Sequence, residues 1–468
     1  MTSEVNSFVP FVPLRGKKVL IIGAARSGIA AARFLVDRGA TVALNDQKPL
    51  EQWSAEALAL KEAKVGLLPG EPPSWLLDQL DLVVVSPGVR ATIIPIRYAE
   101  RAGAEIIGEV ELAARYLKGR IVAITGSNGK TTTTSLIGEL LRDAGLNVQV
   151  GGNIGKPLIS MVESSRDDGW TVAELSSFQM ETIKTFRPVV AIVLNVTPNH
   201  MDRYETFNDY AGAKHRIFMN QTEEDVAVLN ADDPTVSQWE DGLRAKVMRF
   251  SVRQELERGV FLQGDELVFR WDEGEQDLLP VKEMKLRGLH NVENVAAALT
   301  AGIAVGASIE SMRETVKRFN PVEHRLEFVD EIAGVRFYND SKATSVDATL
   351  KALEAFAGDS GQVVLILGGR GKKAPYAPLA PLVSKKVRRM ILIGEDAETI
   401  ANELGEYAPF ERANDMKDSV AKSFAAAEKG DLVLLAPACA SFDMFESFEQ
   451  RGKVFKGNIA DLKSETEH

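Results

Sequence analysis

Cysteine is almost absent from this chain, and the absence excludes a disulfide-stapled fold at once. Of 468 residues only Cys439 carries a thiol, so no intrachain disulfide can form and an intracellular location is the easy reading. Long apolar runs are missing as well, and no stretch is long or apolar enough to cross a bilayer. The opening residues, MTSEVNSFVPFVPLRGKK, lack the uninterrupted apolar centre after a basic start that a secretory signal needs. Positive charge is in deficit: 55 Lys and Arg stand against 66 Asp and Glu, for a net charge of −11. That balance disfavours polyanionic partners such as nucleic acid and anionic membranes. The expectation is a cytoplasmic monomer with no nucleic-acid partner and no membrane insertion, which holds any anionic ligand with local cations and helix N-termini.

What is present is ordinary for a globular protein, with 45% apolar and 26% charged residues. At about 150 residues per domain, this length suggests roughly three domains. Apolar strand-like runs alternate with helical patterns throughout, so the fold class expected is α/β. Boundaries are placed at 1–108, 109–321 and 322–468, the last near Asn320-Pro321, where a helical pattern meets a proline.

The most informative stretch is TGSNGKTTTT, Thr125–Thr134, between the apolar run Ile121-Val122-Ala123-Ile124 and a helical pattern with Leu136, Ile137, Leu140 and Leu141 on one face. Gly126 and Gly129 let backbone N–H groups turn toward an anion, Lys130 adds a cation, and Thr131 offers a hydroxyl where a phosphate-bound Mg²⁺ sits. The first glycine of the usual G-x-x-x-x-G-K-[ST] loop is missing, because Ile124 stands in its place. A plain turn in which Ser127 and Asn128 serve as caps is the alternative, and the strand-loop-helix context favours the phosphate loop.

A second glycine pattern also lacks a member. KKVLIIGAARSGIAAARFLVDRGATVALND, from Lys17 to Asp46, reads as strand, turn, helix and strand with Gly23, Gly28 and a terminal acid. The middle glycine that admits a dinucleotide pyrophosphate is not there, which favours a mononucleotide or sugar-nucleotide site over an NAD site. Asp81–Val89 ends in a Ser-Pro-Gly turn and Ala104–Gly108 reads as another short strand, so these turns should share one sheet edge.

After a helix expected over Glu109–Leu117, strands at Trp170–Leu175 and Val189–Val196 would bring Glu174 and His200 to the carboxyl ends of a parallel sheet beside Thr131. Mg²⁺ takes oxygen ligands, which suits Glu174; a solvated acid and a His200 packed beside Met201 are the plainer readings. Asn153 in GGNIG could donate to a phosphate or occupy a left-handed turn. Lys214, His215 and Arg216, on a helix expected over Tyr210–Asn220, would most simply form a solvated face. Asn291 and Asn294 share a helix face at i, i+3, or are a cap and a surface residue. In the last third, Asp340, Lys342, Lys372 and Ser441 fall at strand ends; Lys372 follows Gly368-Gly369-Arg370-Gly371 but no Ser or Thr comes next, so a cation for a carboxylate or phosphate fits better than a second phosphate loop. Cys439, with no nearby His in the sequence, reads as a small buried residue.

Taken together, TGSNGKTTTT, GGNIG, ELSSFQME, NVTPNHMDRY, HNVENVAAAL, EHRLE, YNDSKATS and PACASFDMFESFEQRG resemble, in order and over nearly the whole chain, the ATP-dependent Mur ligases of bacterial peptidoglycan synthesis. Folylpolyglutamate synthases are more distant kin. ELSSFQ, NHMDRY and NDSKAT look like the D-glutamate-adding branch, and the D-N-P-[RK]-type motif of the diaminopimelate- or lysine-adding branch is not found. PYAPLA after Lys372 and the Arg26-Ser27 pair depart from the better-known pattern.

The resemblance implies a Rossmann-like N-terminal domain, a P-loop-type central ATPase domain and a Rossmann-like C-terminal domain. It implies an ADP-forming amide ligase that uses ATP and Mg²⁺ at two sites, with UDP-N-acetylmuramoyl-L-alanine and D-glutamate as substrates. By that resemblance Gly126, Ser127, Asn128, Gly129, Lys130, Thr131 and Thr132 hold ATP phosphates. Asn291, Asn294, Arg325 and Asp340 contact the rest of the nucleotide. Thr131 and Glu174 hold one Mg²⁺, with His200 and a carbamylated Lys214 at a second; Lys130, His200, Lys214 and Lys342 serve catalysis. Ser27, Asp46, Gly88, Asn153 and Ser176 line the UDP-sugar, and Thr344, Lys372, Ser441, Phe442 and Phe448 the D-glutamate. Two rivals from other classes are an NAD-dependent oxidoreductase built on the first turn, which leaves Lys130 unexplained, and a nucleotide switch, which has no use for Lys372 and Ser441.

Overall fold

The computed structural model describes residues 13–198, 203–272, 274–286, 288–320, 323–356, 361–372 and 374–466. Three sheets organise them. The first holds β1 (Lys18–Ile22), β2 (Thr41–Asp46), β3 (Gly66–Pro69), β4 (Leu82–Val85) and β5 (Glu105–Gly108) in the order 3-2-1-4-5, all parallel. Runs such as KVLII and LVVV are apolar at successive positions because helices cover both faces of a parallel sheet.

The second sheet comprises β6 (Arg120–Thr125), β7 (Val148–Gly152), β8 (Trp170–Glu174), β9 (Val190–Val193), β10 (Val226–Asn230), β11 (Lys246–Ser251), β12 (Gly259–Gln263), β13 (Glu266–Trp271) and β14 (Gly274–Pro280). Its order is 14-13-12-11-10-9-6-8-7, parallel from β7 to β12 and antiparallel through the β12-β13-β14 meander. The polar edge expected over Gly259–Trp271 is two strands of that meander.

The third sheet contains β15 (Glu327–Ile332), β16 (Val335–Asn339), β17 (Val363–Gly368), β18 (Val387–Ile393), β19 (Phe410–Arg412) and β20 (Leu432–Leu435), in the order 15-16-20-17-18-19. Only β15 runs antiparallel to its neighbour. The chain clusters into two compact units, one of Met1–Val196, Phe207–Pro280 and Val295–Val316, the other of Thr197–Thr206, Val281–Asn294 and Lys317–His468. The first two sheets fall in the first unit and the third sheet in the second.

Within the first unit one carboxylate joins the helix after β5 to the central sheet's periphery. Glu111, fully buried on helix Glu109–Ala114, accepts from the backbone N–H groups of Lys184, Thr185 and Phe186 at 2.8–3.0 Å, from Thr185 Oγ1 at 2.6 Å and from Arg115 Nε at 3.0 Å. Those bonds outweigh burial and hold its pKa below the ordinary glutamate value. Among the described residues no helix is long and apolar enough to cross a membrane.

Candidate active site

The phosphate loop forms where β6, flanked on both sides by parallel neighbours, hands over to helix Lys130–Asp143. Gly129 stands at the N-cap with φ +81°, a left-handed conformation that suits glycine. The four threonines that follow are poor helix formers, because branching at Cβ restricts χ1. Packing offsets this: Thr133, Thr134, Leu136, Ile137, Leu140 and Leu141 are all buried.

Asn195, two residues past β9, shapes the loop, its carbonyl accepting from Ser127 N and its Oδ1 from Asn128 N, both at 2.9 Å. Lys130 Nζ curls back to the carbonyls of Gly126 (2.8 Å) and Ser127 (3.0 Å). Thr131 Oγ1 donates to Glu174 Oε2 at 2.8 Å, as the strand-end rule for β6 and β8 anticipates. The other carboxylate oxygen of Glu174 accepts from Asn153 Nδ2, also at 2.8 Å. Asn153 therefore faces the acid. His200 lies outside the described residues.

Lys214 does not lie on a solvated face. It is 1% exposed on helix Phe207–His215, its Nζ donates to the same Gly126 carbonyl at 2.8 Å, and it sits 4.7 Å from the Tyr210 ring centroid. Burial, then the nearby Lys130 charge, lower its pKa well below the ordinary lysine value, with Glu174 opposing. Its neighbours in sequence also turn inward: His215 packs edge-on against Phe218 and Trp239, and Arg216 donates to the carbonyls of Met180 and Ile183. Asn195 and Tyr210 were missed in the sequence. Tyr210 had a usable signal in its i, i+4 spacing from Lys214, and its hydroxyl lies 3.0 Å from Ser127 Oγ.

The donor set suits a hard divalent cation, since Thr131 and Glu174 offer adjacent buried oxygens. Among the described residues no cluster of three or more His, Cys, Asp or Glu forms a metal cage.

At the carboxyl edge of the first sheet, Ser86 Oγ donates to the Gly23 carbonyl at 3.0 Å. Asp46 accepts from the backbone N–H groups of Ala24 and Lys48, so it ties its own turn to the glycine turn after β1. Ser27 lies in the first turn of helix Arg26–Asp37, and Gly88 has open space where a side chain would stand. Ser176 caps helix Ser177–Met180 through a capping box with Gln179. Ser86, Pro87, Gly108, Glu109, Phe178 and Gln179 line one pocket. Glu109 is 2% exposed, and burial pushes its pKa up to about 7.

In the second unit, the loops after β16, β17 and β20 gather at the carboxyl edge of the third sheet. Lys372 Nζ donates to Thr344 Oγ1 at 3.4 Å, Lys342 Nζ stands 5.1 Å from the Phe448 ring centroid, and Ser441 is buried. Phe442 is 65% exposed. Asn294 Nδ2 donates to Asn291 Oδ1 at 3.1 Å with both residues buried, so neither is a surface residue. Asn291, Arg325, Arg336, Phe328 and Tyr338 line a cavity of about 300 Å³. Asp340 is 2% exposed, its Oδ1 has no hydrogen-bond partner among the described residues, and burial raises its pKa to about 6 against the pull of Arg325.

Comparison with known proteins bears on this arrangement over nearly the whole chain. Residues 17–108 match the family description "Mur ligase MurD-like, N-terminal domain", 124–302 "Mur ligase middle domain" and 324–439 "Mur ligase, glutamate ligase domain". A protein of Acidobacterium capsulatum named UDP-N-acetylmuramoylalanine--D-glutamate ligase is 48% identical over 445 residues, covering 95% of this chain and 96% of its own. A protein of the same name from Solibacter usitatus is 48% identical over 450 residues, covering 96% and 99%. Among solved structures, a pseudomurein peptide ligase type C from Methanothermus fervidus aligns with a TM-score of 0.61 at 17% identity, covering 96% of this chain and all of its own. MurF ligase from Thermotoga maritima in complex with ADP aligns with a TM-score of 0.59 at 17% identity, covering 96% of each chain. These structural likenesses establish a shared three-domain α/β fold.

Proposed function

The chain belongs to the Mur ligase family, and from that premise we propose that it joins D-glutamate to UDP-N-acetylmuramoyl-L-alanine using ATP, in cytoplasmic synthesis of peptidoglycan precursors. Full-length relatives at 43–48% identity that carry the D-glutamate ligase name support the substrates. The observation that carries the chemistry is the Thr131–Glu174 contact beside a phosphate loop whose Gly126 carbonyl holds both Lys130 and Lys214. Neither a dehydrogenase nor a switch protein accounts for that set together with Lys372 and Ser441.

In this reading the terminal carboxylate of the sugar nucleotide attacks the γ-phosphorus of ATP, the bond to ADP breaks, and an acyl phosphate forms. The D-glutamate amine then attacks the acyl carbon, phosphate leaves and the amine loses a proton. A carboxylate and a triphosphate repel each other, so the site must neutralise charge while keeping the groups in line. Lys130 lies on its own loop's carbonyls and would turn from them to a phosphate bound by the loop. The N-terminus of helix Lys130–Asp143 adds a fixed positive potential there.

Mg²⁺ held by Thr131 and Glu174, and a second ion by His200 and Lys214, would supply further positive charge to the phosphate oxygens. A neutral Lys214 amine can add to CO₂, forming an N–C bond and releasing a proton, and the resulting carbamate is an anionic oxygen ligand; the burial of Lys214 supports this. Asn291, Asn294, Arg325 and Asp340 take the nucleotide, Lys342 lies by the reacting groups, and Thr344, Lys372, Ser441, Phe442 and Phe448 take D-glutamate. Ser27, Asp46, Gly88 and Ser176 take the sugar nucleotide, which Asn153 joins when its amide leaves Glu174. The domains performing these roles are residues 1–108, 109–321 and 322–468.

Phosphate release from ATP, measured with UDP-N-acetylmuramoyl-L-alanine and a panel of D- and L-amino acids, tests the reading. Release should depend on D-glutamate; a better response to another amino acid overturns it.

A further inference from the structure

Behind the loops assigned to the amino acid lies a buried polar cluster with no role in the mechanism above. Tyr376 is 2% exposed, yet its hydroxyl is fully engaged: it donates to Asp396 Oδ2 at 2.7 Å and lies 2.9 Å from Cys439 Sγ. Desolvation first, then the neighbouring thiol and carboxylate, raise the phenol's pKa, and burial pushes the Cys439 thiol up to about 12. Both groups keep their protons. The carboxylate, the better acceptor, accepts the phenol's hydrogen bond, and the thiol donates in turn to the phenol oxygen.

Each partner of Tyr376 belongs to a different loop. Asp396 follows β18, its backbone N–H donates to the Gly369 carbonyl, and its carboxylate presses on Gly371 so closely that a Cβ there would lie 1.8 Å from Oδ2. Gly371 immediately precedes Lys372. Cys439 follows β20 two residues before Ser441, and the adjacent Ala440 exchanges both backbone hydrogen bonds with Arg370. The backbone N–H of Tyr376 is itself fixed by Glu403 Oε2 at 2.6 Å. One phenol thus bridges the loop behind Lys372 and the loop that carries Ser441.

We propose that Tyr376 is a positioning residue for the D-glutamate pocket, acting through Asp396 and Cys439 to set the spacing of Lys372 and Ser441. This rests on the amino-acid role given to those two residues above. A buried hydroxyl is an expensive way to fill a core, because phenylalanine fills the same volume with no polar atom to satisfy, so the hydroxyl answers to geometry rather than to packing.

Tyr376→Phe removes the hydroxyl and keeps the ring. The KM for D-glutamate should rise about tenfold, while kcat and the KM values for ATP and the sugar nucleotide stay within about twofold. Asp396→Asn should give the same pattern, and the double variant should be no worse than either single one, since both break one link. The single cysteine supplies a readout independent of turnover: Cys439 is fully buried, and loosened loops should let a thiol reagent label it at least about tenfold faster in native buffer. An unchanged D-glutamate KM in a folded Tyr376→Phe protein overturns the proposal, as does an equal rise in all three KM values. If the wild-type protein ignores D-glutamate, the functional reading fails instead. In that case faster labelling of both variants still upholds the bridge between the loops, and unchanged labelling overturns it.

Discussion

Replacing Glu111 by glutamine should loosen helix Glu109–Ala114 from the segment 184–186 that precedes β9, without touching any proposed ligand contact. The carboxylate gathers five donors, three of them backbone N–H groups of residues 184–186. Hydrogen bonds to a charged group contribute roughly 1.5–3 kcal/mol each, but these compete with the desolvation of a fully buried acid, and removing one partner of a buried charged network costs roughly 3–5 kcal/mol. An amide retains one acceptor oxygen and turns an NH₂ group toward N–H groups that need an acceptor, so a loss of about 3 kcal/mol is expected. Urea unfolding followed by tryptophan fluorescence measures it, compared over the first transition because a chain of several domains need not unfold in one step.

The dependence on pH has a definite sign. Glu111 has a folded pKa below its unfolded value, so its stabilisation is fully present above about pH 4.5 and is lost as pH falls through the lower, folded pKa. The gap between wild type and Glu111→Gln should therefore be constant from about pH 8 to pH 5 and narrow only at more acid pH. A loss below about 1 kcal/mol, or a gap that widens on acidification, refutes the assignment of Glu111 as the clasp on residues 184–186.

Other outcomes follow from the site. Lys214→Ala should lower kcat by at least about a thousandfold, with partial recovery on adding formate or acetate; full activity without rescue rules out the carbamate. At Gly152, where φ is +106° and a Cβ would lie 2.4 Å from the Glu174 carbonyl, alanine should shift Glu174 off Thr131 and cut kcat/KM about a hundredfold; wild-type kinetics in a folded Gly152→Ala protein contradict this. Asp340 has its pKa raised to about 6, so its ionisation destabilises the ligand-free protein increasingly as pH rises above its unfolded value near 4. Asp340→Asn should then be more stable than wild type by about 1–3 kcal/mol at pH 8 and equal to it at pH 4 in urea titrations, yet weaker in ATP turnover. Equal stability at both pH values rules out the buried charge as its cause.

The fold and the Gly126–Thr131 loop geometry were legible wherever the physics is local. Strand, glycine turn and amphipathic helix write themselves into adjacent residues, and because ligands collect at the carboxyl ends of parallel strands, Thr131 and Glu174 could be paired across 43 residues of sequence. Lys214 was not legible from its own segment: the flanking YAGAKHRIF shows no clear apolar face, so nothing local says which side is buried. His215 and Arg216 were misplaced for the same reason. Asn153 looked like a ligand contact or a turn residue, and its partner proved to be Glu174, a residue on the neighbouring strand.

By itself, then, the sequence determined the α/β class, the strand-loop-helix at Thr125–Thr134 and the family, because periodicity, glycine placement and motif order are properties of short stretches. Only the tertiary structure decided that Lys214 is stripped of water, that Glu111 collects five donors, and that Tyr376, Asp396 and Cys439 meet behind the Lys372 loop. Desolvation and hydrogen-bond partnership depend on which distant segments arrive at the same place. No residue carries that information in its own neighbourhood, and the chemistry of this site depends on it.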